Sequence, residues 1–388
     1  MFRMELGLDR IKNVLNAMGM EKPPFEIIHI VGTNGKGSTA AFAEAVGREN
    51  GLKIGLFTSP HFLDFRERAL VDCQSPEESE WLAAANRVMS AGGSDLTYFE
   101  FMTACAIALF ADKRVDWAVM EAGLGGTYDA TRALPARVVL VTKIGLDHTR
   151  VLGESISEIA ADKAGAIRTG TPVVSLVQDK LVEAELVRAA ARVGAELSFV
   201  SGEDLPEDFT PGLGGDFQKE NAALALAGWQ AAEAAKTVSL ESAQVKAGIK
   251  NTWLPGRFQQ IAGKPEFILD CGHNPSALKS FAEILNIRNI EPETVIFTCL
   301  SDKDLPAMAR IVRQMGAGRL IVPELPGVER ARKAAEVAME LGPGAKAAKD
   351  LASALEELPK EGVCIICGSL FLLAEFFRLR PDCLKRRI

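Results

Sequence analysis

The sequence predicts an α/β protein: a mostly parallel sheet with helices on both faces, followed by a second, smaller α/β domain. Three observations carry that prediction. Short apolar runs rich in Val and Ile alternate with helical patterns along the whole chain. The runs lack the polar–apolar alternation of strands with one wet face, as expected of strands buried on both sides. The first of them breaks abruptly into the glycine-rich stretch "HIVGTNGKGSTAAF", His29–Phe42, which feeds an alanine-rich helical pattern.

In chain order, Phe25–Val31, Leu52–Phe57, Val115–Met120, Val138–Thr142 and Val173–Val177 read as strands. Helical stretches separate most of them: Thr39–Asn50, Trp81–Ser90, Tyr98–Ala111, Ile156–Ile167 and Leu181–Val193. Asn50–Gly51 stops the first helix, because glycine takes the left-handed turn that ends a helix. Ser155 and Glu158 form a capping-box pattern at the start of another. This alternation argues for crossover helices on a parallel sheet. A second series has strands Phe267–Leu269, Val295–Leu300, Leu320–Val322 and Val363–Ile366. A helix Gln218–Ala235, another near Leu240–Ile249 and the turn "WLPGRF", Trp253–Phe258, join the two series. The division is therefore a first domain 1–253, a linker 251–258 and a second domain 258–388. The loop Ser201–Gly215, rich in Gly, Pro and acid, reads as the mobile segment.

A chain of 388 residues suggests two or three domains. With 48% hydrophobic and 24% charged residues it has the composition of an ordinary globular protein. The net charge of −7 supplies no global field for nucleic acid or anionic membrane, so any anion site must be built locally. The start, "MFRMELGLDR", has no apolar signal core, and no apolar stretch is long enough to span a bilayer. Seven scattered cysteines fit a reducing cytosol better than a disulfide framework. "CIIC", Cys364–Cys367, lies in a strand pattern whose residues three apart face opposite ways, so it reads as core.

In open parallel sheets, ligands bind beyond the carboxyl ends of the strands. The first four strand exits here are "GTNGKGST", "TSPH", "MEAGLGGTYDAT" and "KIGLDHT", all polar or glycine-rich. A strand, a glycine-rich turn and a helix present backbone N–H groups and a helix N-terminus to an anion. Lys36 adds a mobile positive charge and Ser38 or Thr39 a hydroxyl. The spacing is not Walker A: two residues separate Gly32 from Gly35, and Gly37 intervenes before Ser38.

Lys163 is anomalous. The apolar stripe of its helix is Ile156, Ile159, Ala160 and Ile167, and Lys163 falls on that buried face. A buried ammonium is costly, and burial lowers its pKa. Two readings stay open on pattern alone: a snorkelling lysine that reaches the edge, or a working lysine aimed at the site. Glu121 and His148, at strand ends, are candidate magnesium ligands: magnesium takes oxygen and keeps several waters, which suits Glu121, whereas a histidine ligand is less usual and spacing alone does not suggest it; Glu121 can equally cap a helix. His61, His148 and His273 each follow a strand exit, whereas His29 reads as a satisfied core residue. The only two tyrosines, Tyr98 and Tyr128, lie in these same stretches, where a flat ligand can stack.

Taken together, "GTNGKGS", "TSPH", "FRER", "LTYFE", "EAGLGGTYDAT", "GLDHTRVLG", "ADKAGAI", "LPGRF", "DCGHNP", "SDKD" and "GSLFL" stand in the order seen in folylpolyglutamate synthases and dihydrofolate synthases. The chain resembles that family, part of the Mur ligase superfamily, over nearly its whole length. The resemblance implies a Mur-type central domain with a P-loop-like nucleotide site and a Rossmann-like C-terminal domain. It implies an ATP-dependent ligase that joins the amine of L-glutamate to a carboxylate of dihydropteroate or of a folate's terminal glutamate, through an acyl phosphate. A Mur-type amide ligase with a non-folate acceptor is the alternative. By the same carry-over, Thr33, Asn34, Gly35, Lys36, Gly37 and Ser38 hold the phosphates of ATP. Ser59, Glu121 and His148 ligate magnesium, and Lys163 matches the lysine that is carbamylated in the family and binds a second magnesium. Lys36, Lys163 and His148 are then the catalytic set. Asn221, Arg257, Asp270 and His273 match nucleotide contacts. Thr97, Tyr98 and Phe99, with Tyr128, Asp129 and Ala130, match the pterin-side pocket. Such an enzyme is a cytoplasmic monomer serving folate biosynthesis and polyglutamylation, with no nucleic-acid or membrane partner. Nucleotide contacts split between two domains imply closure about a hinge near "LPGR" that excludes water.

Four departures stand out. "DCGHNP" stands where Asp-Gly-Ala-His-Asn-Pro is usual, so Cys271 falls at the glycine position and adds bulk there, and Gly272 falls at the alanine position. Arg132 stands where an asparagine is usual after "DAT". The chain starts closer to the phosphate loop than in most relatives, and Ser198–Gln218 is short.

Overall fold

The computed structural model describes residues 5, 7–232 and 242–385. Residues 233–235 of the first joining helix and 240–241 of the second lie outside them. The chain forms two units, Met1–Gly212 with Gln218–Thr252, and Leu213–Phe217 with Trp253–Ile388.

The elements that build the first unit are α1 (Asp9–Ala17), β1 (Glu26–Val31), α2 (Lys36–Glu49), β2 (Ile54–Phe57), β3 (Ala69–Val71), α3 (Glu78–Ser90), α4 (Tyr98–Lys113), β4 (Trp117–Glu121), β5 (Val138–Val141), α5 (Thr149–Leu152), α6 (Ile156–Ala164), β6 (Val173–Leu176), α7 (Lys180–Val193), β7 (Leu197–Val200), α8 (Phe217–Ala231) and α9 (Ala243–Asn251). Seven strands pair in the order β3-β2-β4-β1-β5-β6-β7. Only β3 runs antiparallel. The interior strands are apolar throughout because both faces are covered: every residue of β1 after Glu26 is buried, as is all of β2, β4 and β5. One core gathers Ile11, Val14, Trp81, Val88 and Ile107 from α1, α3 and α4 against Ile27, Phe57 and Met120. Another packs Ile159 and Leu186 from α6 and α7 against Val139 and Val141. Trp229 of α8 is fully buried, donates from its indole to Ala43 O at 3.0 Å, and meets Trp117 edge-on with ring centroids 5.0 Å apart.

The loop read as mobile is anchored instead. Leu205 and Phe209 are buried, and Gly212 N donates to Ile249 O at 3.0 Å. Its few apolar side chains, masked by the surrounding acid and glycine, hold it down.

The second unit contains β8 (Gln259–Ile261), β9 (Glu266–Leu269), α10 (Pro275–Ile287), β10 (Thr294–Phe297), α11 (Leu305–Gln314), β11 (Arg319–Pro323), α12 (Ala334–Leu341), β12 (Ala345–Ala348), α13 (Leu351–Glu356), β13 (Val363–Cys367) and α14 (Leu370–Leu379). Its strands pair as β12-β11-β10-β13-β9-β8, parallel except for β8. Cys364 and Cys367 are buried in β13, and burial pushes the Cys364 thiol up to about 12. All seven cysteines are free. Among the described residues no helix is long and apolar enough to cross a membrane.

Candidate active site

β1 lies between β4 and β5, with Ile30 opposite Glu121 and Val31 opposite Val141. The carboxyl ends of these three strands therefore open side by side, and "GTNGKGS" leaves the middle one. Gly32 and Gly35 take φ of 148° and 90°. A β-carbon at Gly32 would lie 1.9 Å from Thr142 Oγ1, and one at Gly35 2.4 Å from Asn221 Oδ1. Close approach as well as conformation thus demands glycine at both. The amides of Thr33 and Asn34 donate to Lys143 O at 2.9 and 3.2 Å, and Thr33 Oγ1 both donates to Gly145 O and accepts from Gly145 N, each at 3.1 Å. The loop is stapled to the exit of β5.

No side chain caps α2 at Gly35, so its first-turn amides stay available to an anion. Beneath it, the buried amides of α8 make a chain. Gln218 Nε2 donates to Ser38 Oγ at 3.3 Å, Asn221 Nδ2 donates to Gln218 Oε1 at 2.9 Å, and Thr39 Oγ1 donates to Asn221 Oδ1 at 3.3 Å. Asn221 therefore supports the loop from behind. Gln218 was not singled out in the sequence; its place one helical turn before Asn221 is the signal that marks it.

Lys36 curls back over the loop, donating to Gly32 O at 3.2 Å and Thr33 O at 3.1 Å. Lys163 donates to the same Gly32 O at 2.8 Å. The capping box at Ser155 and Glu158 is present and starts α6; Ile159, Ala160, Lys163 and Ile167 are all buried. Lys163 is only 4% exposed, which excludes snorkelling. Burial, reinforced by the charge of Lys36, lowers its pKa from 10.5 to about 7. The side chain thus turns inward to the loop and does not reach the edge of the fold.

Glu121, buried at the tip of β4, accepts from Ser59 N at 2.9 Å, which joins the exits of β2 and β4. His148 takes a left-handed φ of 52° and lies with its side chain 41% exposed beside Asp147, whose carboxylate accepts from His148 N at 2.8 Å. Among the described residues, no group of three or more His, Cys, Asp or Glu converges as a metal cage. Glu121 and Ser59 offer a carboxylate and a hydroxyl, oxygen donors of the kind magnesium takes while it completes its shell with water and substrate phosphate. The imidazole of His148 is a less usual partner for that ion.

Elsewhere in the first unit, Thr97 caps α4: its hydroxyl accepts from Glu100 N at 3.4 Å, and Glu100 Oε2 accepts from Thr97 N at 2.8 Å. Phe99 packs on Phe57 at 5.8 Å between centroids, and its ring fills the space a side chain at Gly123 would need. Tyr128 is exposed and Ala130 buried. The buried Asp129 carboxylate accepts from Leu124 N at 2.9 Å, Thr131 N at 3.0 Å and Thr131 Oγ1 at 2.5 Å, so it shapes the loop. Burial pushes its pKa up. Sequence patterning gave Arg68 no separate role, yet it is buried, donates to His61 Nδ1 at 2.8 Å and lies over the Tyr98 ring at 5.4 Å. Its burial sits in a short turn with no periodicity to reveal it.

His29 is less satisfied than expected. Nε2 pairs with Thr131 Oγ1 at 2.7 Å, but the buried Nδ1 has no hydrogen-bond partner. Burial, with Arg168 and Arg132 nearby, lowers its pKa to about 3.

In the second unit, Asp270 is buried just past β9 and accepts from Phe258 N at 3.0 Å and Gly272 N at 2.7 Å. Burial raises its pKa, opposed by the charge of Arg257. His273 Nδ1 lies 3.0 Å from Cys271 O, and the Cys271 thiol is buried and pushed up to about 12, which leaves it a packing residue.

A scan against protein-family models gives no match. Comparison with characterised proteins does. The chain is 32% identical over 341 residues to the dihydrofolate synthase/folylpolyglutamate synthase of Bacillus subtilis, covering 80% of this chain and 79% of that one. It superposes on Escherichia coli FolC in complex with DHPP and ADP with a TM-score of 0.88 at 28% identity, over 98% and 94% of the two chains. The bifunctional folylpolyglutamate synthase/dihydrofolate synthase with Mn, AMPPNP and L-glutamate bound matches at a TM-score of 0.86 and 30% identity, over 98% and 95%. Fold and phosphate loop together define an ATP-dependent ligase of the Mur type. The chain belongs to the folylpolyglutamate synthase/dihydrofolate synthase family, whose members add glutamate to dihydropteroate, to folates, or to both.

Proposed function

We propose that this enzyme adds L-glutamate to dihydropteroate, to reduced folates or to both, with the nucleotide phosphates seated on Thr33–Ser38. The carboxylate of the acceptor attacks the γ-phosphorus of ATP and ADP leaves. The amine of L-glutamate then attacks the acyl carbon, loses a proton and displaces phosphate. Lys36 and the amides at the start of α2 neutralise the charge that gathers when a triphosphate and a carboxylate meet. Ser59, Glu121 and His148 would hold a divalent cation, which would screen phosphate charge and polarise the phosphoryl oxygen. Lys163 serves as a carbamate: burial and the charge of Lys36 lower the pKa of its amine to about 7, which favours the neutral form that takes up carbon dioxide. The product is an anion suited to a second magnesium.

Asn221, Arg257, Asp270 and His273 are assigned to the nucleotide, Asn221 and Asp270 by shaping backbone. Thr97–Phe99 and Tyr128–Ala130 are assigned to the acceptor. Residues 1–253 are the nucleotide- and folate-side domain and 258–388 the second domain. The enzyme works as a cytoplasmic monomer without nucleic-acid or membrane partners.

One arrangement supports this reading above all: two lysines meet at one loop carbonyl, at the uncapped start of a helix. The test is product mass from dihydropteroate and from tetrahydrofolate, assayed separately with ATP, magnesium and labelled glutamate. A glutamate added to at least one is the expected result; incorporation into one alone restricts the enzyme to that reaction, and into neither removes the folate acceptor.

A further inference from the structure

The stretch Gly123–Leu134, which carries Tyr128–Ala130, is bonded to the carboxyl end of the helix that carries Lys163. Gly126 N donates to Asp162 Oδ2 at 3.0 Å. Thr127 donates to Asp162 O twice, from its amide at 3.0 Å and its hydroxyl at 2.9 Å. Arg132 Nε donates to Gly165 O, and Arg168 Nη1 donates back to Leu134 O. The backbones touch: a β-carbon at Gly126 would lie 2.4 Å from Lys163 O and 2.8 Å from Lys163 Cα, and one at Gly165 2.0 Å from Thr127 Oγ1.

The last carbonyls of a helix lack partners within it. Here the Gly165, Ala166 and Ile167 amides bond Asp162, Lys163 and Ala164 O, and the loop adds donors to Asp162 O and to Gly165 O, so it fastens onto the carboxyl end of α6 and lies directly on Lys163. We propose that Thr127 and Arg132 are positioning residues that lock the acceptor loop and Lys163 into one body, so that the acceptor's seat and the lysine's placement are set together. Arg132 is the part of this device that departs from the asparagine usual at its position. The proposal rests on the working role given to Lys163 above.

The test uses Arg132→Asn, Arg132→Lys and Thr127→Val in the full chain. Arg132→Asn and Thr127→Val are expected to raise the KM for the acceptor and lower kcat, each by about tenfold, because small misplacement of a working group is costly. ADP affinity by calorimetry and the unfolding midpoint are expected to stay at the parent values, which a merely structural role would not predict alongside a kinetic loss. The carbon-13 signal of a lysine carbamate, read after incubation with labelled bicarbonate, is expected to weaken in the same two variants. Arg132→Lys keeps a donor for Gly165 O and is expected to recover most of the rate. If Arg132→Asn fails to fold, Thr127→Val, which deletes one hydroxyl at constant shape, decides alone. Acceptor KM and kcat within about twofold of the parent in Thr127→Val and in a folded Arg132→Asn overturn the proposal, as does a lowered unfolding midpoint with unchanged kinetics. Lys163→Ala serves as the control: an inactive Lys163→Ala enzyme makes such a failure count against the clamp alone, whereas an active one removes the reading beneath it.

Discussion

The amines of Lys36 and Lys163 donate to a single acceptor, Gly32 O, from 3.2 and 2.8 Å. Two ammonium groups so placed repel, and burial together with the charge of Lys36 lowers the pKa of Lys163 to about 7. An anion seated on the loop relieves the same crowding.

Lys163→Ala is expected to cut glutamate ligation by about a thousandfold or more while the fold survives. Steady-state turnover, circular dichroism and the carbon-13 carbamate signal check it together. Near-normal turnover takes Lys163 out of the mechanism, and a carbamate signal that persists in the variant assigns the modification to another lysine.

Glu121→Ala removes the carboxylate that joins the exits of β2 and β4. The rate is expected to fall and the magnesium concentration at half-maximal activity to rise by about tenfold or more. A magnesium titration that superimposes on the parent's rejects the ligand role.

Gly35→Ala forces a β-carbon to within 2.4 Å of Asn221 Oδ1 in a residue held at φ 90°. Left-handed backbone costs a non-glycine residue about 1–2 kcal/mol, and Asn221 must also give up its place beside Gln218 and Thr39. Chemical denaturation is expected to show that loss, and calorimetry a weakened affinity for ADP. Parent-like values in both place the loop's work elsewhere.

Stability in acid carries the signature of His29. Its pKa is lowered from 6.5 to about 3 by burial, so between those values the unfolded chain takes up a proton that the folded one refuses. The stability tied to neutral His29 is therefore complete above pH 6.5 and is lost as pH falls toward 3. The slope it adds is at most about 1.4 kcal/mol per pH unit. Urea melts across that window are expected to give a shallower decline for His29→Gln; an unchanged slope shows that His29 is not the group responsible.

The interior strands were legible in the sequence, and the unread strands are the four sheet edges: β3 and β7 in one unit, β8 and β12 in the other. An interior strand must be apolar on both faces, which leaves a Val- and Ile-rich run. An edge strand such as β12, "AKAA", or β7, with Ser198 and Phe199 exposed, carries no such obligation. The position of Lys163 on the buried stripe of α6 was legible for the same reason of periodicity. Its shared acceptor with Lys36, the Asp162 clamp and the burial of Arg68 were not, since they join residues distant in sequence or lie in turns without a repeat.

The strand that launches the phosphate loop has hydrogen-bonded neighbours on both sides, and all of it after Glu26 is shut away from water. Its amides can exchange with solvent deuterium only when the whole unit opens. Fraying at the rim, where β3 and β7 lie, leaves the glycine-rich turn after β1 undisturbed. Heat inactivation should therefore coincide with the global melt of the first unit instead of preceding it.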